Sequence, residues 1–292
     1  MKKKIFALSL ALILALALAA CGGSGSAGDT QKTDAPAGTQ APPADTQTPP
    51  AETVTLKVAA SPTPHAEILN QCVDILKAQG IDLVVTEYSD YVFPNTAVED
   101  GEEDANYFQH IPYLNNFNAE RGTHLVSIAG IHIEPIGIYA GKTASLDAIP
   151  DGGRIAVPND TTNEGRALLL LEAQGIIKLK DSTKLDSTPN DIAENPKNLE
   201  FVELAAENIP SNLDEVDVAA INSNYALGAG LNPVEDALVL ENSEDNPYVN
   251  ILAVKEGNEN SEVIQALVKA LQSDTVRDYI LNTYGGAVLP AF

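Results

Sequence analysis

"GRIAVPNDTTNEGRALLLLEAQG", residues 153–175, decides the fold class, because one strand signal is followed directly by one helix signal. "GRIAVP" is a short apolar run that stops at a proline, which is typical of a buried strand. The helix is predicted to begin at a Thr162 N-cap and to end at Gly175. Its continuous apolar run, Ala167 to Leu171, indicates burial on more than one side. Such a unit predicts an α/β protein.

The folded part before this unit has the same alternation. "VTLKVAA" (54–60) and "IDLVVTEY" (81–88) predict two strands. Between them, Thr63 and Pro64 predict the start of a helix that Gly80 ends. Strands that alternate with helices predict parallel sheets covered by helices.

The alternation starts again after residues 129–139, where two series of strands and helices are joined. "SLDAI" (145–149) predicts a short helix at the start of the second series. Two such series predict two lobes rather than one sheet. We therefore expect lobe 1 at residues 53–133 and 240–292 and lobe 2 at 134–239.

The first fifty residues carry a targeting signal and a linker. Residues 1–20, three lysines followed by an apolar run, have the order of a secretory signal and are excluded from the fold. "LAACGG" resembles the lipobox of bacterial lipoproteins, which implies acylation of Cys21; an uncleaved membrane anchor is the alternative. Residues 21–52 have no large apolar side chain and predict a disordered tether. We expect a protein that its lipid holds on the extracytoplasmic face of the bacterial cell membrane.

The chain is strongly acidic, with 41 Asp and Glu against 17 Lys and Arg and a formal charge of −24. Such a field repels nucleic acid and anionic lipid headgroups, so neither is an expected partner. The two cysteines are Cys21 and Cys72. With Cys21 acylated, we expect neither an intrachain disulfide nor a metal site built from cysteines.

Aromatic residues are concentrated in one region, since residues 88–117 hold seven of the fifteen. Tyr91, Phe108, His110 and Tyr113 combine flat apolar faces with a few hydrogen-bonding groups, which is the composition of small-molecule pockets. The same residues would suit a helix start that packs into the core, with His110 as its cap. The residues alone leave a pocket wall and a core cluster equally open.

Arg166 is the candidate for binding an anion. It is predicted in the first turn of its helix, where the positive end of the helix dipole disfavours a cation. An anion bound there would meet free backbone N–H groups and a guanidinium that holds a carboxylate through two hydrogen bonds. An ion pair with Glu164 or Asp160 is the alternative.

Asparagines follow or interrupt two predicted strands. Asn222 and Asn224 come directly after "DVAAI" (217–221), at the strand end where open α/β sheets bind ligands. Asn250 interrupts "YVNILAV" (248–254), and a buried amide without partners costs about 1–3 kcal/mol. The charged groups of an amino acid would supply such partners, as would backbone groups across a cleft.

Signals for catalysis or metal binding are weak. The chain has no nucleophile elbow, phosphate-binding loop, zinc-protease motif or dinucleotide fingerprint, so we expect neither an enzyme nor a cofactor. His132 and Glu134 would share a strand face and, with His110, form the alternative site for zinc or manganese. His65 and His124 have no partner at ligand spacing, and no bound metal is expected.

Longer motifs resemble one family over nearly the whole folded part. They include "SPTPHAEIL", "SDYVFPN", "FQHIPYL", "PNDTTNEGRALLLL" and "AAINSNYALGAGL". These segments resemble the methionine-binding lipoproteins of the NlpA type, the substrate-binding subunits of ABC importers. The resemblance implies a two-lobed periplasmic-binding-protein fold, type II-like, with the ligand cleft between the lobes.

The resemblance also implies roles for eight residues, four at the side chain of a bound methionine and four at its head group. The side-chain contacts match Tyr91, Phe108, His110 and Tyr113. The head-group contacts match Arg166, which would bind the carboxylate, and Asn163, Asn222 and Asn250.

The expected function is therefore capture of methionine, with L-methionine favoured, and its delivery to an ABC transporter permease and its ATPase. No bond would be made or broken, and closure of the lobes would sequester the ligand. The alternatives are another small amino acid, a methionyl dipeptide, or the zinc or manganese ion considered above.

Overall fold

The computed structural model of the chain describes residues 53–292. The predicted signal peptide, the lipidation site Cys21 and the predicted tether lie outside the described residues. Within the described part, no helix is both long enough and apolar enough to cross a membrane.

Strands and helices alternate through residues 53–292, as the sequence predicts. The strands are β1 (Val54–Ala60), β2 (Ile81–Glu87), β3 (Ala105–His110), β4 (Leu125–Ile133), β5 (Gly137–Ala140), β6 (Arg154–Pro158), β7 (Lys178–Leu179), β8 (Ile192–Glu194), β9 (Glu200–Leu204), β10 (Val218–Ile221), β11 (Ala237–Leu240), β12 (Val249–Lys255) and β13 (Leu289–Pro290). The helices are α1 (Glu67–Asn70), α2 (Val73–Lys77), α3 (Phe93–Asp100), α4 (Ile111–Arg121), α5 (Thr161–Ala173), α6 (Ser223–Gly228), α7 (Pro233–Asp236), α8 (Glu262–Leu271) and α9 (Asp274–Thr283).

One predicted helix is wrong. Residues 145–149 form bends and a turn rather than a helix. Pro150 disfavours the helical conformation at Ile149, the residue before it, so the apolar pattern of this segment does not continue into a helix.

The first sheet has six strands in the order β13–β4–β12–β3–β1–β2. β1 is parallel to β2 and β3, whereas β12 runs antiparallel to both of its neighbours, β3 and β4. The prediction of parallel sheets is therefore wrong for β12 and its two neighbours in the first sheet. A buried strand such as β12 is a continuous apolar run that has the same pattern in either direction.

The second sheet has five strands in the order β11–β5–β10–β6–β9 and is also mixed. β6 is parallel to β9 and β10, and β5 is antiparallel to β10 and β11. All of its strands lie between Gly137 and Leu240, while the first sheet takes strands from both sides of that range. The chain thus passes between the sheets twice, through residues 134–136 and 241–248, which we call the crossovers.

Each sheet has its own apolar core beneath its helices, which gives the predicted two-lobed α/β architecture. Helix α5 is buried on more than one side, as its apolar run predicts, and each fully buried leucine contributes about 1.5–3 kcal/mol. In the first core, fully buried side chains include Leu56, Ile68, Leu69, Ile131 and Leu267. In the second core, they include Ile138, Ile155, Leu168, Leu171 and Val218.

Candidate functional site

A cavity lies where side chains from the two sheets face each other. About 350 Å³ of empty space lies between its lining atoms and at its mouth. Only about 20 Å³ of it accommodates the centre of a water-sized sphere, so its walls stand close together. The lining residues are His65, Tyr91, Phe108, Gln109, His110, Tyr113, Glu134, Asn163, Arg166, Asn222, Ser223, Asn224 and Asn250. The structure thus brings together all eight residues predicted for the ligand site.

The aromatic side chains form one wall of the cavity. Tyr91 lies 5.8 Å from both Phe108 and Tyr113 between ring centroids, and Phe108 lies 6.0 Å from Tyr113. These separations suit favourable edge and tilted ring pairs. The Tyr113 hydroxyl donates to the Tyr91 carbonyl oxygen at 2.9 Å, which fixes the two rings relative to each other.

His110 serves both roles that the sequence left open, since it caps a helix and also lines the cavity. Its Nδ1 accepts from the Tyr113 backbone N–H at 3.2 Å and caps α4. The proton is therefore on Nε2, which donates to Asn163 Oδ1 at 3.2 Å. Burial, with a smaller effect from the charge of Arg166, lowers the pKa of His110 to about 3. The ring is thus neutral at pH 7.

The asparagines connect the two sides of the cavity. Asn163 Oδ1 accepts from Asn222 Nδ2 at 2.9 Å as well as from His110. The Tyr91 hydroxyl donates to Asn224 Oδ1 at 2.6 Å. Asn222 Oδ1 is buried and has no hydrogen-bond partner among residues 53–292. A buried carbonyl oxygen without a donor costs about 1–3 kcal/mol, so this atom suits a donor supplied by a ligand.

Helix α5 begins one residue before the predicted cap. Its N-cap is Asp160, whose Oδ1 accepts from the Asn163 backbone N–H at 2.9 Å, rather than Thr162. Both residue types are favoured at this position, so the local sequence could not choose between them. Arg166 consequently lies in the second turn, not the first. The Asp160 carboxylate also occupies the end of the helix where the sequence predicted an anion.

Arg166 pairs with Glu241, and not with Glu164 or Asp160 as the sequence alternative had it. Its Nε donates to Glu241 Oε1 at 2.9 Å, and its Nη2 donates to the Glu134 carbonyl oxygen at 2.8 Å. One face of the guanidinium covers the ring of Tyr248, with Cζ 4.2 Å from the centroid. Within the described residues, Nη1 makes no hydrogen bond. That edge of the guanidinium is available to a ligand.

A second polar network lies at the base of the cavity, around Glu134. The Tyr107 hydroxyl donates to His132 Nδ1, and His132 Nε2 donates to Glu134 Oε1 at 2.6 Å. His65 Nε2 is 2.9 Å from Asn250 Oδ1 and 3.2 Å from Glu134 Oε1. His65 has no partner at ligand spacing in the sequence, and the structure gives it partners that are distant in the chain: Asn250 is 185 residues away.

Burial governs the charges in this network. It lowers the pKa of His65 to about 4 and that of His132 to about 3, so both rings are neutral at pH 7. Burial also raises the pKa of Glu134, while His65 and Arg166 act in the opposite direction. A carboxyl that accepts from His132, has His65 Nε2 at 3.2 Å and lines the cavity offers a partner for a cation.

The possible metal ligands in the structure differ from the set that the sequence proposed. The described residues hold one group of possible metal ligands at the cavity, His65, His132 and Glu134, whose ligand atoms lie within 4.8 Å of one another. His110, which the sequence proposed as the third ligand, is bonded to Asn163 instead. Both His132 nitrogens already have hydrogen-bond partners, whereas His65 Nδ1 is buried without one among residues 53–292.

Five lining residues lie outside those eight: Asn224, which the sequence placed at the ligand-binding end of its strand, and His65, Gln109, Glu134 and Ser223, which were not predicted for the ligand site. His65 and Gln109 lie inside the longer motifs "SPTPHAEIL" and "FQHIPYL", which were the available signal. Glu134 was considered only as a metal ligand. Outside the cavity lining, Glu241 had no local signal, because the side chain it contacts is 75 residues away.

A two-lobed α/β fold whose facing sheets enclose a cavity with one arginine, several amides and an aromatic wall defines the class of substrate-binding proteins. Residues 56–292 match the family model described as NlpA lipoprotein. The chain belongs to this family.

Relatives and solved structures agree with that membership. The methionine-binding lipoprotein MetQ of Bacillus subtilis is 45% identical over 237 residues, 80% of this chain and 86% of that protein. The crystal structure of a lipoprotein from Ruminococcus gnavus is 58% identical, with a TM-score of 0.80 over 81% of this chain and 98% of that one. A nutrient-binding protein from Burkholderia cenocepacia, solved bound to methionine, is 43% identical, with a TM-score of 0.78 over 81% of this chain and all of that one (100%).

Proposed function

We propose that this protein binds methionine, with L-methionine favoured, and delivers it to an ABC transporter permease and its ATPase. The observation that carries the proposal is that Arg166 lines a cavity with an aromatic wall and that its Nη1 makes no hydrogen bond within the described residues. A guanidinium that can bind a carboxylate and an aromatic surface that can bind an apolar group match an amino acid with a long apolar side chain. The methionine-bound relative from Burkholderia cenocepacia supports the choice of methionine.

The head group would be bound by charge and by amide groups. Arg166 Nη1 would donate to the ligand carboxylate. The ligand ammonium would donate to the unpartnered Asn222 Oδ1 and to the Glu134 carboxylate. Asn163 and Asn250 would complete the head-group contacts.

The thioether side chain would lie against Tyr91, Phe108 and Tyr113, with His110 beside it. Sulfur–aromatic contacts contribute about 0.3–1.5 kcal/mol each, and a flexible side chain fits a narrow space well. A neutral His110 adds no charge to this end of the cavity, which favours an apolar side chain over a charged one. These roles involve no reacting group, and we propose that the protein is not an enzyme.

The lobe limits and the membrane anchor are further parts of the proposal. The limits predicted from the sequence, 53–133 with 240–292 and 134–239, fall within one residue of the ends of β4 and β11. Acylation of Cys21 on the extracytoplasmic side is supported by the lipoprotein names of the relatives. The lipid would keep the protein beside its permease.

The test is calorimetric titration of the full-length chain, purified in detergent and refolded to remove carried-over ligand. L-methionine is expected to bind one to one, and Arg166→Lys is expected to weaken it strongly, because lysine keeps the charge but lacks the planar fork. Arg121→Lys, on the exposed end of α4, is the control and should bind like the parent. Binding of a methionyl dipeptide, another amino acid or zinc in place of methionine would contradict the proposal.

A further inference from the structure

The guanidinium of Arg166 is held on three sides by parts of the chain that are distant in sequence. Glu241 takes the Nε and Nη2 edge, with Nε to Oε1 at 2.9 Å and Nε to Oε2 at 3.1 Å. The Glu134 carbonyl oxygen accepts from Nη2 at 2.8 Å, and the ring of Tyr248 covers one face. With these contacts made, Nη1 is the guanidinium nitrogen that makes no hydrogen bond within residues 53–292.

Glu241 is itself fixed by the backbone of the crossovers. Its backbone N–H donates to the Ile136 carbonyl oxygen at 2.9 Å. Its Oε2 accepts from the Ile136 backbone N–H at 3.3 Å and also from Arg166 Nη2. The carboxylate therefore has contacts that do not depend on Arg166. We infer that its position sets the direction of the guanidinium.

The pair is almost fully removed from solvent, with 3% of the Arg166 side chain and 15% of the Glu241 side chain exposed. In such surroundings an arginine without its carboxylate partner would turn its unpaired N–H groups toward other acceptors. The acceptors within the cavity are the amide oxygens of Asn163 and Asn222 and the Glu134 carboxylate. Loss of Glu241 would therefore misdirect the group that has to meet the ligand.

We propose that Glu241 is the positioning residue for Arg166, and that the pair sets the preference of the cavity for ligands with a free carboxylate. This inference rests on the proposed function and extends it to a residue outside the cavity lining. Glu241 would not touch the ligand; it would act by holding Arg166 so that Nη1 is free to donate to the ligand carboxylate.

The experiment compares L-methionine with L-methioninamide, which lacks the carboxylate charge, by calorimetry on the full-length chain in detergent. The variants are Glu241→Gln and, as a matched control, Glu244→Gln, which makes the same change at an exposed site on the same crossover. The parent should prefer methionine. In Glu241→Gln we expect this preference to fall by about tenfold or more, because a charge-assisted pair is roughly twice as strong as a neutral one. Glu244→Gln should keep the parent's preference.

The outcomes separate this inference from the proposed function. A parent chain that does not bind methionine overturns the proposed function and this inference together. An unchanged preference in Glu241→Gln, or equal weakening of both ligands, overturns the inference alone, since equal weakening would mean a merely structural role. A gain in methionine affinity would show that Glu241 competes with the ligand, and it also overturns the inference.

Folding of the variants is checked by circular dichroism. If Glu241→Gln does not fold, Glu241→Asp takes its place, because it keeps the charge and shortens the side chain by one carbon. The shorter carboxylate cannot span both Ile136 and Arg166, so a smaller loss of preference in the same direction is expected, and no loss overturns the inference.

Discussion

Replacement of His110 by asparagine should remove a large part of the acid sensitivity of the fold. The asparagine side chain keeps an oxygen acceptor for the helix N-cap that Nδ1 of His110 now provides, but it cannot take up a proton. The change therefore isolates the titration of one buried imidazole from its structural role.

The magnitude follows from the difference in pKa between the unfolded and folded chains. The unfolded imidazole has a pKa near 6.5, and burial lowers the pKa of folded His110 to about 3. Between these values the unfolded chain binds a proton that the folded chain does not. Stability thus rises with pH across this window and is complete above about 6.5. For this one group, lowering the pH from 7 to 5 costs about 2 kcal/mol.

The assay is urea unfolding followed by circular dichroism from pH 7.5 to 5.0, without ligand. His65 and His132 act in the same direction as His110, and Glu134 acts in the opposite direction, so the parent's curve alone is a sum. The difference between parent and variant removes these contributions. His124→Asn is the control, because the His124 side chain is 65% exposed. Parallel curves for the parent and His110→Asn, or an equal effect of His124→Asn, would refute the reasoning.

Three further changes test the packing around the site by thermal or urea unfolding. Gly165→Ala should lower the free energy of unfolding by about 1–3 kcal/mol, because its new Cβ would lie 2.3 Å from a backbone oxygen. Gly228→Ala, whose new Cβ would have nothing within 4 Å, is the control. Equal melting temperatures for the two variants would contradict the structure. Leu168→Ala should cost about 2–5 kcal/mol through the cavity it leaves in the second core, and a cost below 1 kcal/mol would mean that the site collapses around it. Tyr107→Phe should cost about 1–3 kcal/mol, because His132 Nδ1 loses its donor, and a neutral result would remove Tyr107 from the network.

Local sequence patterns predicted the strands and helices that are determined by neighbouring residues. The strand at 154–158 and the helix that follows it were predicted from an apolar run, a capping residue and a closing glycine, all within about twenty residues. The aromatic wall also comes from one segment of the chain, but its residues alone left a pocket wall and a core cluster equally open, and the resemblance to the NlpA family favoured the wall. Strand direction was not predictable in this way, since the apolar run of β12 has no polarity that distinguishes parallel from antiparallel pairing.

The partners of the charged groups were the part that local patterns could not supply. Arg166 had two acids within its own helix and its cap as local candidates, but its partner is Glu241 on the second crossover. His65 likewise contacts Glu134 and Asn250, which come close only after both sheets have formed. A salt bridge or hydrogen bond between such distant residues leaves no periodicity in the sequence.

The double passage between the sheets has a consequence for synthesis of the chain. The second sheet is complete once Leu240 has left the ribosome, whereas the first sheet lacks β12 until residues 249–255 are made. Because β12 lies between β3 and β4, a nascent chain without it leaves one edge of β3 unpaired. It also leaves β4 without any partner strand, since β13 is made later still, and unpaired strands favour pairing with other chains. The strands synthesised first are therefore the last to be completed into a sheet. Chains that stop before Val249 should be the ones that require chaperones or are degraded.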